Sequence, residues 1–368
     1  MTGMFQASAR RLSTVALAVC LCAGPGLDSA RAQGADSPCA VETSERVVAV
    51  GDVHGAYQRF TGILRAAQLI DQRDRWIGGR AILVQTGDVV DRGADSKRVI
   101  DLLRRLERDA RRAGGRVFPL LGNHEFMRAA HDWRYVSAEE YEAFADHDSE
   151  RTQKAALERT TTAMRRRAQQ EGRNFDAAAY RDQFLRDIPL GYIEMRRAFD
   201  RGGEYGDWVR RRLAAVKVNG VLFVHAGVSE RDASLGCEGI NAAIRADLAA
   251  LPVPAEKVPS LFASSGDGPL WYRGLATEPE ATFAPTVDRI LGQVRARAIV
   301  VGHTPGPSIG RIVTRFGGRV ILIDTGMLEG DFYPGGVPSA LELHNGTITA
   351  IYDGRREPLS APAPGVQQ

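Results

Sequence analysis

Short apolar runs in the first third of this chain alternate with longer stretches whose apolar residues recur every three or four positions. The runs predict strands over 46–50, 80–85 and 116–121. Between them, Phe60, Ile63 and Leu64 share one face of a helix expected over 57–69. Val99, Leu102, Leu103 and Leu106 share a face of a second helix, expected over 96–113 and stopped by Gly114-Gly115. Strand, loop and helix repeating in this order predict a doubly wound α/β layer with right-handed crossovers.

The pattern changes over residues 130–213, which are rich in Arg, Glu, Gln and Ala and poor in β-branched residues. A mainly helical insertion is expected there, either a substrate-facing cap over the strand ends or a solvated helical hairpin without a role. Its His131 and His147 lack ligand spacing and read as surface residues. Strand patterning resumes at 215–218 and 221–224, joined by Asn219-Gly220, a strong hairpin signal. A helix near 239–250, a Pro- and Ser-rich stretch over 251–269 and a helix over 286–296 follow. Strands are expected over 298–301, 320–324, 340–344 and 347–352, the last two turning at Asn345-Gly346. The folded domain is therefore assigned to 46–356, after an extension over 33–45, and the Pro/Ala-rich tail over 357–368 is expected to be disordered.

Composition alters this picture chiefly at the N-terminus. Arg10 and Arg11, an apolar stretch over 12–24 and Ala30-Arg31-Ala32 have the arrangement of a cleavable signal peptide over 1–32. The stretch falls short of the roughly 20 residues a membrane-spanning helix needs. The expected address is periplasmic or secreted, with no membrane insertion after cleavage. The formal charge of +3 falls to +1 once Arg10, Arg11, Arg31 and Asp28 are removed, which gives no basis for a nucleic-acid or anionic-membrane partner. Cys20 and Cys22 leave with the leader. Cys39 and Cys237 remain, and an oxidising compartment leaves both a disulfide and two separate thiols open.

The chemistry concentrates where the strands end. Gly51-Asp52-Val53-His54-Gly55, Gly87-Asp88-Val89-Val90-Asp91-Arg92-Gly93 and Gly122-Asn123-His124-Glu125 each follow a predicted strand, and His225 and His303 follow two later ones. Loops at the carboxyl ends of such strands are where α/β folds place their sites. A single Asp after a strand is usually a turn former, and a lone His there is usually a surface residue. Six such residues in register, Asp52, His54, Asp88, Asn123, His225 and His303, point instead to metal. Carboxylate, imidazole and amide oxygen suit manganese, iron or zinc rather than calcium. Six ligands are too many for one ion that must also bind water, and suit two ions sharing a carboxylate.

With these motifs the chain resembles the phosphoprotein phosphatase branch of the calcineurin-like metallophosphoesterases. The bacterial Shewanella-like protein phosphatases look nearest, given the leader, the long helical insertion and Leu270-Trp271-Tyr272-Arg273-Gly274. The resemblance spans about residues 46–352. It implies a four-layer α-β-β-α metallophosphoesterase sandwich with two mixed sheets. It also implies two divalent metal ions, manganese first, with iron and zinc also accepted. Asp52 and His54 would serve the first ion, Asn123, His225 and His303 the second, with Asp88 bridging. Arg92 and, on a shorter motif, Arg273 would grip the phosphate. His124 would protonate the leaving oxygen, its ring oriented by Asp91. The implied reaction is hydrolysis of a phosphomonoester by a metal-bridging hydroxide, with a phosphorylated protein or peptide, or a small phosphomonoester, as substrate.

Two absences narrow this. Gly302-His303-Thr304-Pro305 has Pro where many phosphodiesterases of the superfamily carry a second His, and Val89–Arg92 offers no Tyr of the purple acid phosphatase kind. A dinucleoside polyphosphate hydrolase is the enzymatic alternative, and a non-catalytic phosphate-binding module on the same fold is the alternative outside enzymes. Glu125 is read as loop support, and Gly326 as a tight turn near the site.

Overall fold

A computed structural model describes residues 39–359. The leader expected over 1–32 and the last part of the expected tail lie outside the described residues. Among the described residues, twelve strands form two six-stranded mixed sheets. They are β1 (Ala40–Val41), β2 (Val47–Val50), β3 (Ile82–Gln85), β4 (Arg116–Pro119), β5 (Ala215–Val218), β6 (Val221–Val224), β7 (Ala298–Val301), β8 (Val313–Arg315), β9 (Val320–Leu322), β10 (Ala340–His344), β11 (Thr347–Tyr352) and β12 (Arg355–Leu359). One sheet runs β12-β11-β10-β2-β3-β4 and the other β1-β5-β6-β7-β9-β8.

The strand residues sort cleanly between two environments. Val47, Ala49, Ile82 and Val84 of one sheet pack with Val221, Phe223, Val300 and Ile321 of the other in a core between the sheets. Their neighbours Val48, Val50, Leu83, Leu222, Val224, Ile299 and Val301 belong instead to the helix-packed core. That core takes Phe60, Ile63 and Leu64 from helix Tyr57–Ala66 and Val99, Leu103 and Leu106 from helix Ser96–Arg112. Helices Gly236–Ala250 and Glu280–Val294 contribute Ile240, Ile244, Val287 and Ile290. Burial on both faces explains the unbroken apolar runs. The four-layer α-β-β-α sandwich with two mixed sheets is thus observed.

The 130–213 stretch is helical, with helices Ala138–Glu142, Ser149–Gln170, Ala177–Asp187, Tyr192–Phe199 and Glu204–Arg210. Its two longest helices bury only Ser149, Ala168 and Phe184. The two that follow send Met195, Phe199, Tyr205, Trp208 and Val209 into the helix-packed core. Among the described residues no helix is long and apolar enough to cross a membrane.

Three strands depart from the sequence expectation. Residues 357–359, assigned to the tail, belong instead to β12, because Asp353-Gly354, with Gly354 at φ +69°, turns the chain back. Pro358 pairs with Thr349 on that edge strand, where proline is tolerated. Within the extension assigned to 33–45, β1 pairs in parallel with β5, so Ala40 and Val41 belong to the sheet. Cys39 is disulfide-bonded to Cys237 with the Cα atoms 6.1 Å apart, a separation that suits the bond. Strand β8 pairs with β9 at the opposite edge, and its half-buried Val-Thr-Arg carries too little apolar pattern to be seen.

Candidate metal centre

Asp52 and His54 lie in the loop after β2, Asp88 after β3, Asn123 after β4, His225 after β6 and His303 after β7, so both sheets contribute. All six side chains are buried. The loops approach so closely that glycine is required at their seams. A Cβ on Gly122 would fall 2.2 Å from Asp88 Oδ1, and one on Gly302 would fall 2.3 Å from Asp52 Oδ1. Five site residues that are not glycine, His54, Asp88, Asp91, Arg92 and His303, hold positive φ between 46° and 72°. Such backbone persists only where the surroundings over-determine it.

Glu125 supplies much of that constraint. Its Oε2 accepts the N–H groups of Asp88 and Gly122, both at 2.8 Å, and its Oε1 those of Val89 at 2.8 Å and Val90 at 3.3 Å. The N–H groups of Val53 and His54 in turn donate to the Asp88 carbonyl at 2.9 and 3.0 Å. The loop-support role expected of Glu125 is the one it has.

Asp88 is the meeting point. Its Oδ1 accepts the His124 N–H at 3.0 Å. Its Oδ2 lies 3.3 Å from His225 Nε2 and 3.8 Å from Nε2 of both His54 and His124. Asn123 Oδ1 is 2.8 Å and His303 Nδ1 3.1 Å from the same His225 Nε2. His54 Nδ1 lies 3.0 Å from the Val90 carbonyl and His225 Nδ1 2.9 Å from that of Thr86. Those carbonyls accept from the Nδ1–H groups and leave the Nε2 atoms facing inward, the usual orientation of a metal-ligating imidazole. Asp52 accepts the His303 N–H at 3.0 Å and lies 3.9 Å from His54 Nε2.

The residues therefore fit metal. Two groups of ligand atoms, His54/Asp88/His124 and Asp88/His225/His303, each lie within 4.8 Å of one another and share Asp88. Converging lone pairs repel unless a cation or proton sits among them. Burial opposes charge on Asp88, yet the neighbouring His225 and His124 outweigh it and hold the carboxyl well below the ordinary range. Burial, followed by the charge on His225, drives His303 down to about 2, which keeps that imidazole a lone-pair donor.

Beside this cluster stands a second unit. His124 Nδ1 lies 2.6 Å from Asp91 Oδ2. Asp91 Oδ1 accepts from Arg128 Nε at 2.8 Å. Arg92 Nη1 donates to the Tyr333 hydroxyl at 2.7 Å and touches His54 Nε2, and its guanidinium lies 5.4 and 5.7 Å from the Tyr135 and Tyr333 rings. Arg273 Nη1 donates to the His303 carbonyl at 2.9 Å and the Thr304 hydroxyl at 3.1 Å. All ten residues named from the sequence thus gather in one region.

Sequence reasoning missed several neighbours. Asp324, after β9, is buried with Oδ2 unpartnered. Burial, reinforced by the Asp88 charge and opposed by the Gly326 hydrogen bond, raises its carboxyl to about 6. Its Oδ1 accepts the N–H of Gly326, which is in the expected turn. Tyr333, Tyr135 and Arg128 carried no motif; only Asp324-Thr325-Gly326, at the end of a strand like the ligand blocks, offered a signal. His131 pairs with Asp200, and His147 is exposed, both away from the cluster.

The profile of the calcineurin-like phosphoesterase family matches residues 45–307. An uncharacterized protein of Schizosaccharomyces pombe is 32% identical over 76% of this chain and 73% of its own. Shewanella-like protein phosphatase 2 of Arabidopsis thaliana is 28% identical over 82% of this chain and 76% of that protein. Among solved structures, the cold-active protein-tyrosine phosphatase of a psychrophilic Shewanella species superposes with a TM-score of 0.65 at 29% identity, covering 88% of this chain and 82% of that one.

Proposed function

The chain belongs to the calcineurin-like phosphoesterase family, and from that premise we propose that it hydrolyses phosphomonoesters, with phosphoproteins as the substrate class. The observation that carries this is the convergence of three imidazole Nε2 atoms on Asp88 Oδ2, beside a hydrogen-bonded His124–Asp91 pair. Asp52 and His54 would hold one divalent ion, Asn123, His225 and His303 the other, with Asp88 shared. Bound there, the ions supply charge neutralisation at the phosphoryl oxygens and an activated water nucleophile.

The chain's own residues account for the remaining steps. Arg92 offers a planar fork to the phosphate oxygens, and the Tyr135 and Tyr333 rings limit where that fork can swing. Arg273, tied to the His303–Thr304 backbone and hydroxyl, would grip the opposite side. His124 Nδ1–H is committed to Asp91, so the proton delivered to the leaving oxygen comes from Nε2, which faces the cluster. No side-chain nucleophile is required.

Phosphoprotein as substrate is supported by the named protein phosphatases of Arabidopsis and Shewanella among its relatives. Manganese is the first choice of metal, with iron and zinc also suited to mixed imidazole, carboxylate and amide ligands. Export through residues 1–32 to the periplasm or beyond is supported by the Cys39–Cys237 disulfide, since such bonds persist in oxidising compartments.

The test is activity of the metal-reconstituted protein on phosphoserine, phosphothreonine and phosphotyrosine peptides, small aryl phosphates and diadenosine tetraphosphate. Hydrolysis of phosphopeptides is expected. Turnover confined to diadenosine tetraphosphate would make it a dinucleoside polyphosphate hydrolase, and binding of phosphate without any turnover would make it a binding module.

A further inference from the structure

Arg128 is a fully buried cation that the reaction as described does not use. Its Nε donates to Asp91 Oδ1 at 2.8 Å and its Nη2 to Glu140 Oε1 at 2.7 Å. Asp91, Arg128 and Glu140 are each at most 2% exposed. Glu140 lies on helix Ala138–Glu142, within the insertion, and a capping box fixes its side chain. The Ser137 N–H donates to Glu140 Oε2 at 3.1 Å, and the Glu140 N–H to Ser137 Oγ at 3.3 Å. Glu140 Oε1 also lies 3.3 Å from the Asp91 N–H, which has its other partner in Ser96 Oγ at 3.1 Å. The next residue is held from the same segment, because the Arg92 N–H donates to the Tyr135 carbonyl at 2.9 Å. The insertion encloses the rest of the cation: Met195 Sδ lies 3.0 Å from Arg128 Nη1, and the Trp133 and Phe199 rings lie 5.5 and 5.3 Å from the guanidinium.

The charges explain why two carboxylates flank one guanidinium. A buried arginine paired with Asp91 alone would neutralise the carboxylate on which His124 depends. Glu140 balances Arg128, so the triad keeps one net negative charge facing His124. In a poorly solvated interior that field is weakly screened.

We propose that Arg128 and Glu140 are positioning residues for the acid, acting through Asp91 on His124, and that the first helix of the insertion therefore helps to place the acid. This rests on His124 being the acid. The experiment compares wild type, Glu140→Gln, Glu140→Asp and Arg128→Lys, each also combined with His124→Asn. Metal content and melting temperature are measured, with turnover of a phosphoserine peptide and of nitrophenyl phosphate. Glu140→Gln keeps the shape and one acceptor oxygen for the capping box while removing the charge and the acceptor that faces Arg128, and Arg128→Lys keeps a cation while removing the fork.

Glu140→Gln and Arg128→Lys should each keep the metals and lose about tenfold in kcat on the phosphoserine peptide. Nitrophenyl phosphate, whose leaving group needs little protonation, should change less than twofold. Glu140→Asp should recover part of the loss. In the His124→Asn background the same changes should cost nothing further on the peptide. Equal losses on both substrates, or losses that persist after His124 is replaced, would overturn the proposal and leave the pair a packing element. If His124→Asn itself showed no dependence on leaving group, the acid assignment would fail and this proposal with it.

Discussion

Asp88 Oδ2 lies 3.3 Å from His225 Nε2, and this contact joins a loop of one sheet to a loop of the other. A carboxylate placed between histidines of both sheets should matter to every ion the site holds. Replacing Asp88 by Asn is expected to lower bound metal at both positions. His225→Ala is expected to spare the ion served by Asp52 and His54. Elemental analysis of the purified variants separates the two outcomes, and equal stoichiometry would show that Asp88 does not bridge.

The 2.6 Å contact between His124 Nδ1 and Asp91 Oδ2 fixes which nitrogen is available to substrate. His124→Asn should keep both metals and lower turnover of an alkyl phosphate by roughly 10²–10⁴, the usual span for general acid–base catalysis. With nitrophenyl phosphate the loss should shrink. Steady-state kinetics on the two substrates decides it.

Glu125 is expected to be the costliest of the loop supports. Its carboxylate holds four buried backbone N–H groups, and each such group left unsatisfied costs about 1–3 kcal/mol. Glu125→Ala should destabilise the fold by several such increments and weaken metal affinity together. Denaturant titration with a parallel metal competition assay would reveal both losses. Stability lost with affinity intact would limit Glu125 to a folding role.

The disulfide between Cys39 and Cys237 closes a sequence separation of 198 residues. Replacing both cysteines by Ser should lower stability by about 2–4 kcal/mol, chiefly by freeing the unfolded chain. The protein prepared without residues 1–32 should titrate with no free thiol. Activity should persist in the variant, because neither cysteine touches the cluster.

The centre was legible because its ligands come in short local blocks, each at the end of a strand whose own apolar run was plain. Asp88, for example, sits in the block from Gly87 to Gly93, and the other blocks in register with it mark it as a ligand. Arg128 and Glu140 could not, since a buried Arg is written the same way as a surface one and only the fold brings Glu140 beneath Asp91. The capping box Ser137-Ala138-Glu139-Glu140 was readable as a helix start, yet nothing in it announces that the glutamate turns inward. Strand β12 was masked by Pro358 and by charge at Arg355, Arg356 and Glu357, although Asp353-Gly354 was a turn signal in plain view. Tyr333 follows the last ligand block with no pattern to tie it there, and Asp324 had only its place after a strand.

Gly122 and Gly302 each give up the volume of one methyl group to a carboxylate from another loop. That exchange makes the loops interdependent as heritable units. A side chain gained at Gly302 would not merely crowd its own turn but expel Asp52, and one at Gly122 would expel Asp88. Variation is thereby steered away from the seam, toward the solvent-facing pair of helices spanning 149–187, where shape can drift without disturbing the centre.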